Sequence, residues 1–155
     1  MPLQKLREFL DQNSVKYVSI SHSPAYTAQE IAASAHVPGQ ELAKTVMVKL
    51  DGDMAMAVHP ASFKVDLDQL PAAAGADAVE LATEDEFKGL FPGCEPGAMP
   101  PFGNLWNMPV YACETLADDV EIAFNAGSHT ELVRLRFDDF ARLVSPKVTR
   151  FSATG

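Results

Sequence analysis

The chain has 155 residues, 47% apolar and 21% charged, the balance of a globular protein with one core. A formal charge of −9 argues against a generic nucleic-acid coat, because non-specific binding rests on neutralising phosphates. Two cysteines, Cys94 and Cys113, and four scattered histidines match neither a disulfide framework nor a zinc spacing, so neither a metal nor a cofactor is expected.

Residues 3–12 place Leu3, Leu6, Phe9 and Leu10 on one helical stripe. Charges among these leucines exclude a secretory signal, and no apolar run approaches membrane-spanning length, so a cytoplasmic protein is expected. Tyr17 to Ile20 reads as a strand. Thr27-Ala-Gln-Glu30 forms a capping box that opens a helix through Ala35, and Pro38-Gly39 closes that region. Lys44 to Leu50 and Met54 to His59 form a hairpin about Asp51-Gly52-Asp53. Asp66 is predicted to cap a short helix over 67–74, with Pro71 near its middle. A strand follows at 79–81, and Thr83-Glu-Asp-Glu86 caps a helix through about Leu90. Strands are expected at 110–113, 120–124 and 131–137, with a turn at Asn125–Gly127. Asp138 is predicted to cap a last helix before Ser145-Pro146. Helices and strands interleave without a regular βαβ period, and tight turns join neighbouring strands. The reading is one α+β domain over 1–155, built on a mixed, mostly antiparallel sheet.

Three features carry chemistry. Lys44 shares a strand face with Val46, Val48 and Leu50, so its ammonium either snorkels to water or lines a pocket as a cation for a phosphate or carbonyl oxygen. Between Phe91 and Asn104, seven of 14 residues are Pro or Gly. Proline removes donors and glycine permits close approach, so the remaining N–H groups are either idle in a stiff connector or held to meet an oxyanion. Phe124-Asn-Ala-Gly-Ser-His129 is a small-residue turn carrying an amide, a hydroxyl and an imidazole, a composition that backbone geometry alone can explain. Arg134 and Arg136 follow on one strand face. Cys94 has no activating histidine nearby in sequence, which leaves a thiol nucleophile as a minor alternative.

The stretches ELAKTVMVKLDG (41–52), MAMAVHPASFKVDLDQL (54–70), FPGCEPGAMPPFG (91–103) and EIAFNAGSHTELVRLRFDDFARL (121–143) together resemble the YbaK family of aminoacyl-tRNA deacylases, also found inserted in bacterial prolyl-tRNA synthetases. The resemblance implies a curved or barrel-like sheet flanked by helices, and hydrolysis, in trans, of the ester joining a small wrong amino acid to tRNA. Lys44 matches the family's strand lysine, and Gly97-Ala98-Met-Pro-Pro101 its G-x-x-x-P loop. By resemblance, Lys44, Gly97, Ala98 and Pro101 are the catalytic candidates, with water and the terminal ribose hydroxyl doing the chemistry. His22, Tyr26, Met47, Asn125, Gly127 and His129 are the pocket candidates; Arg134, Arg136, Arg142, Lys147 and Arg150 are the tRNA contacts. The implied partners are the acceptor CCA end and a synthetase, with no membrane and no DNA. The reading from a different class is a non-catalytic module that binds tRNA ends or a synthetase.

Overall fold

The computed structural model describes residues 3–23, 28–35, 37, 41–61, 63–65 and 67–154. The expected Thr27 cap, the Pro38-Gly39 stop, Asp66 and Tyr26 lie outside the described residues.

A hairpin organises the sheet. Strands β2 (Leu42–Leu50) and β3 (Asp53–Pro60) are joined by Asp51-Gly52, whose φ values of 51° and 90° are those of a type I′ turn. This turn sets Leu50 opposite Asp53 and Lys44 opposite His59. Around the hairpin stand β1 (Tyr17–Ser21), β5 (Val79–Leu81), β6 (Val110–Cys113), β7 (Glu121–Asn125), β8 (Glu131–Arg136) and β9 (Lys147–Thr149). Their order is β1-β8-β7-β2-β3-β6-β9, with β5 pairing the end of β2. The β1–β8, β8–β7, β2–β3 and β2–β5 pairs are antiparallel, whereas β2–β7, β3–β6 and β6–β9 are parallel. The sheet is therefore mixed and mostly antiparallel, as expected. Its order does not close on itself, so the barrel-like alternative gives way to an open sheet. A separate ribbon pairs β4 (Phe63–Val65) with β10 (Ser152–Thr154).

Alternation along each strand gives the sheet two covered faces. One carries Met47, Met56, Val58, Ile122, Phe124, Val133 and Leu135, packed by α1 (Gln4–Gln12) through Leu6 and Leu10 and by α5 (Phe137–Val144) through Phe137 and Phe140. Phe102, from the Pro/Gly-rich segment, packs against both Phe124 and Phe140 in this layer. The other face is covered in two places. Ile31 of α2 (Ala28–Ala35) sits over Leu42, Ala123 and Leu132. Leu70 of α3 (Leu70–Ala74) and Phe151 sit over Val48, Ala55 and Ala57. Lys44 and His59 fall between these two covers.

Several expected boundaries move. α3 begins at Leu70, not 67, with Gln69 as its N-cap and Pro71 in its first turn, where a missing N–H costs nothing. The Thr83 capping box forms with both reciprocal bonds, but α4 spans only Glu84–Phe87, short of Leu90. Lys49 ties this turn to the sheet by pairing with Glu86 and with Glu80 (3.0 Å). Asp138 does not cap α5. Helix follows strand without a spacer, Arg136 takes the N-cap position, and Asp138 lies in the first turn, where it complements the helix dipole. Of the four three-residue strands, β5 was expected and β4, β9 and β10 were not, since runs so short carry little alternation.

Candidate functional site

The site lies where two parallel strands part. β7 runs beside β2 only at Leu42–Ala123 and Ala43–Phe124. β7 then ends at Asn125 and the chain leaves the sheet, while β2 continues. Asn125 and Lys44 are thus level at the point of separation, and His59 is level with Lys44 on the other side. All three share the doubly covered face, so a row of amide, ammonium and imidazole crosses adjacent strands at spacings of about 4.8 Å. The gap holds a small concavity of about 40 Å³, lined by Ile31, Leu42, Ala43, Lys44, Ala61, Gly97 and Asn125. Asn125 Oδ1 is buried with no hydrogen-bond partner among the described residues. A buried acceptor without a donor is costly and marks a place where a ligand's donor is wanted.

The wall opposite the strands comes from the Pro/Gly-rich segment. Glu95-Pro96-Gly97-Ala98 is a type II turn: proline is second, glycine is third with φ 84°, and the Ala98 N–H donates to Glu95 O at 3.0 Å. The turn is fastened to the β7–β8 connection. Gly127 N–H donates to Ala98 O (2.8 Å), and Glu95 N–H donates to Gly127 O (2.8 Å). Gly127 has φ 104°, which side chains rarely adopt, and a Cβ there would also crowd Leu3 Cβ at 3.1 Å, so glycine is favoured. The Gly97 N–H itself has no partner among the described residues.

The residues expected to act together separate into groups. Lys44, Gly97 and Asn125 line one concavity. Ala98 and Pro101 are buried and do not line it, and the N–H and C=O of Ala98 are both spent on the turn and its fastening. Gly127 and His129 hold the loop and do not line the concavity. Met47 is a correction: three residues from Lys44 along a strand, it points to the opposite face and is part of the main core. The His22 N–H donates to Thr130 O (2.8 Å), and its buried Nε2 lacks a partner among the described residues. The five cations do not form one patch. Arg134 and Arg136 line a groove with Lys16, but Glu121 and Asp139 line it too. Arg136 pairs with Asp138 and Arg142 with Asp139. Lys147 lies on β9, at the far edge of the sheet and five strands along from β8.

His59 was missed by sequence reasoning, although the Asp51-Gly52 turn already fixes it opposite Lys44. It is 2% exposed, and its Nδ1–H donates to Pro60 O at 2.7 Å. Burial lowers its pKa, the Pro60 bond opposes that shift, and the Lys44 charge adds to it, so a neutral imidazole flanks the lysine. Burial also pushes the Cys94 thiol up to about 11, which leaves about one thiolate in ten thousand at neutral pH. Cys94 is therefore no activated nucleophile.

Comparison with known proteins bears on this geometry. Residues 22–143 match the aminoacyl-tRNA editing domain. The chain belongs to that family. Editing is hydrolysis of the aminoacyl ester, so this editing domain is an aminoacyl-tRNA deacylase. It is 28% identical over 156 residues to the multifunctional Ser/Thr-tRNA deacylase ProXp-y of Escherichia coli K12, covering 97% of this chain and 93% of that protein. It is 36% identical over 93 residues to the proline–tRNA ligase of Staphylococcus saprophyticus, covering 60% of this chain and 16% of that enzyme. The editing domain also shares its fold with a crystal structure described as a candidate trans-editing enzyme for prolyl-tRNA synthetase. That match has TM-score 0.82 at 20% identity and covers 97% of this chain and 96% of the other. No helix among the described residues is long and apolar enough to cross a membrane.

Proposed function

We propose that this editing domain removes a small wrong amino acid from the 3′ end of tRNA, acting in trans, with Lys44, Gly97 and Asn125 as the groups that touch the substrate. The observation that carries the reading is the meeting of these three in one small concavity. In hydrolysis, water adds to the ester carbon, negative charge develops on the carbonyl oxygen, and the bond to the ribose oxygen breaks as that oxygen takes up a proton. The Gly97 N–H is a fixed donor for the developing oxyanion, and it stabilises the transition state most because it need not move. Lys44 anchors the terminal phosphate or ribose. The neighbouring ribose hydroxyl positions the attacking water, so no protein nucleophile is required, in keeping with the protonated Cys94. The unpartnered Asn125 Oδ1 suits the α-ammonium or a side-chain hydroxyl of the amino acid.

Size favours a small residue. A water molecule needs about 10–15 Å³ of such space, so 40 Å³ accepts about three heavy atoms. The side chains of alanyl, seryl, cysteinyl and threonyl residues, with one to three heavy atoms, fall in that range. Synthetases confuse such substrates because one methylene is worth only about 1–3 kcal/mol, and a second sieve corrects the error. The relatives point to prolyl-tRNA synthetase as the partner enzyme.

A panel of seryl-, threonyl-, alanyl- and cysteinyl-tRNAs tests the reading. Turnover by wild type that is abolished in Lys44→Ala and retained in Cys94→Ala supports it. Tight binding of tRNA without turnover would replace it with the non-catalytic module.

A further inference from the structure

His129 is not on the wall of the concavity, yet its contacts converge on the turn that brings Gly97 to that wall. Its Nε2 lies 3.0 Å from Pro96 O. A carbonyl oxygen only accepts, so Nε2 carries the proton and donates it. The His129 backbone N–H donates to Glu95 Oε2 (3.2 Å), which binds the imidazole's own residue to the first position of the turn. The ring's Cε1 stands 3.8 Å from where a Cβ of Gly97 would lie, so the imidazole packs beside the glycine. The His129 side chain is 13% exposed, sheltered between the two loops.

We infer that His129 is a positioning residue that locks the central peptide of the Glu95–Ala98 turn and thereby aims the Gly97 N–H. The inference rests on the proposed role of that N–H in the reaction. Pro96 C=O and Gly97 N–H are opposite ends of one planar trans peptide, so fixing the oxygen fixes the direction of the hydrogen. That same peptide distinguishes a type II turn from a type I turn. The two forms differ by a rotation of roughly 150–170° of the central plane, while the outer residues barely move. Proline is welcome at the second position of both forms, and glycine adopts either sign of φ. The sequence of the turn thus permits both states. The bond from His129 belongs to only one of them, because a flipped plane carries Pro96 O away from the imidazole and turns the Gly97 N–H out of the concavity. A donor at the end of a rigid ring selects the competent state before substrate arrives.

The test uses His129→Leu, which keeps bulk and removes the donor, and His129→Gln, whose amide N–H reaches about as far as Nε2. Two readouts are taken: kcat and KM on a mischarged tRNA that wild type hydrolyses, and hydrogen exchange of the Gly97 amide by NMR in the free protein. The expected result for His129→Leu is a fall in kcat of about tenfold to a hundredfold with little change in KM, because a misaimed donor is lost from the transition state. Altered exchange and chemical shift at Gly97 should accompany it, with Ala57 and Phe124 in the sheet unchanged. His129→Gln should restore both readouts to within a few-fold of wild type. Wild-type kcat in His129→Leu, or equal loss in both variants with an unchanged Gly97 amide, overturns the inference. If wild type hydrolyses none of the mischarged tRNAs, the functional reading fails, and the Gly97 amide alone decides whether His129 holds the turn.

Discussion

Two tight turns of this molecule look alike in sequence and behave differently in the structure. Asp51-Gly52 and Pro96-Gly97 each place a glycine at positive φ, 90° and 84° respectively. A Cβ at Gly52 would meet nothing within 4 Å, and the flanking strands hold that turn through eight register pairs from Leu50–Asp53 to Ala43–Pro60. Gly97 has no flanking ladder. Its turn is held from the side, by Gly127 and by His129. The first turn closes a hairpin, and any residue pair tolerant of the geometry would do. The second lines the concavity, and in the proposed mechanism its neighbours keep a backbone donor still. On that reading the same dihedral serves chain reversal in one place and chemistry in the other, and only the neighbours distinguish them.

Substitutions sharpen the contrast. Lys44→Ala should have the largest effect: a fall in kcat/KM of about a hundredfold or more on mischarged tRNA, with melting temperature nearly unchanged, because the ammonium is exposed and contributes little to folding. Gly97→Ala should come next. The space beside it is ordinary van der Waals contact, so the penalty is the φ of 84°; kcat should drop about tenfold or more as the turn shifts toward the flipped form. Gly52→Ala, its partner in the comparison, should cost about 1–2 kcal/mol in denaturant unfolding and leave kcat/KM within twofold. A Gly52→Ala enzyme as slow as Gly97→Ala would remove the distinction between the turns. The smallest effect is a pH dependence. His59 has a folded-state pKa below that of the unfolded chain, so on acidification the unfolded state takes up the proton first. Stability should be flat above about pH 6.5 and fall below it toward the lowered folded value. His59→Gln should flatten that slope in thermal melts between pH 7.5 and 5.5.

Much of the scaffold was legible because it depends on local chemistry. The Asp51-Gly52 turn, the Thr83 capping box and the alternation of residues 44–50 each state their structure within a few residues. Lys44 and the Gly97 turn were singled out on the same basis. What the sequence withheld depends on register and on partners far along the chain. Met47 was given to the pocket by family resemblance, but strand parity turns it to the other face. His59 was overlooked, although counting back from the hairpin turn pairs it with Lys44. The part played by His129 could not be read, because its contacts are with residues more than thirty positions earlier. Asp138 followed a capping pattern that the direct strand-to-helix junction at Arg136 overrode.

The concavity draws its wall from positions 31, 42–44, 61, 97 and 125, joined through the parallel pairing of β2 with β7. Contacts so distant in sequence form late, since loop closure must precede them. The sheet carries the same burden, since β1 pairs β8 across more than a hundred positions, so sheet and cavity are expected to form in one cooperative step. Turnover should therefore return together with the circular dichroism of a refolding chain.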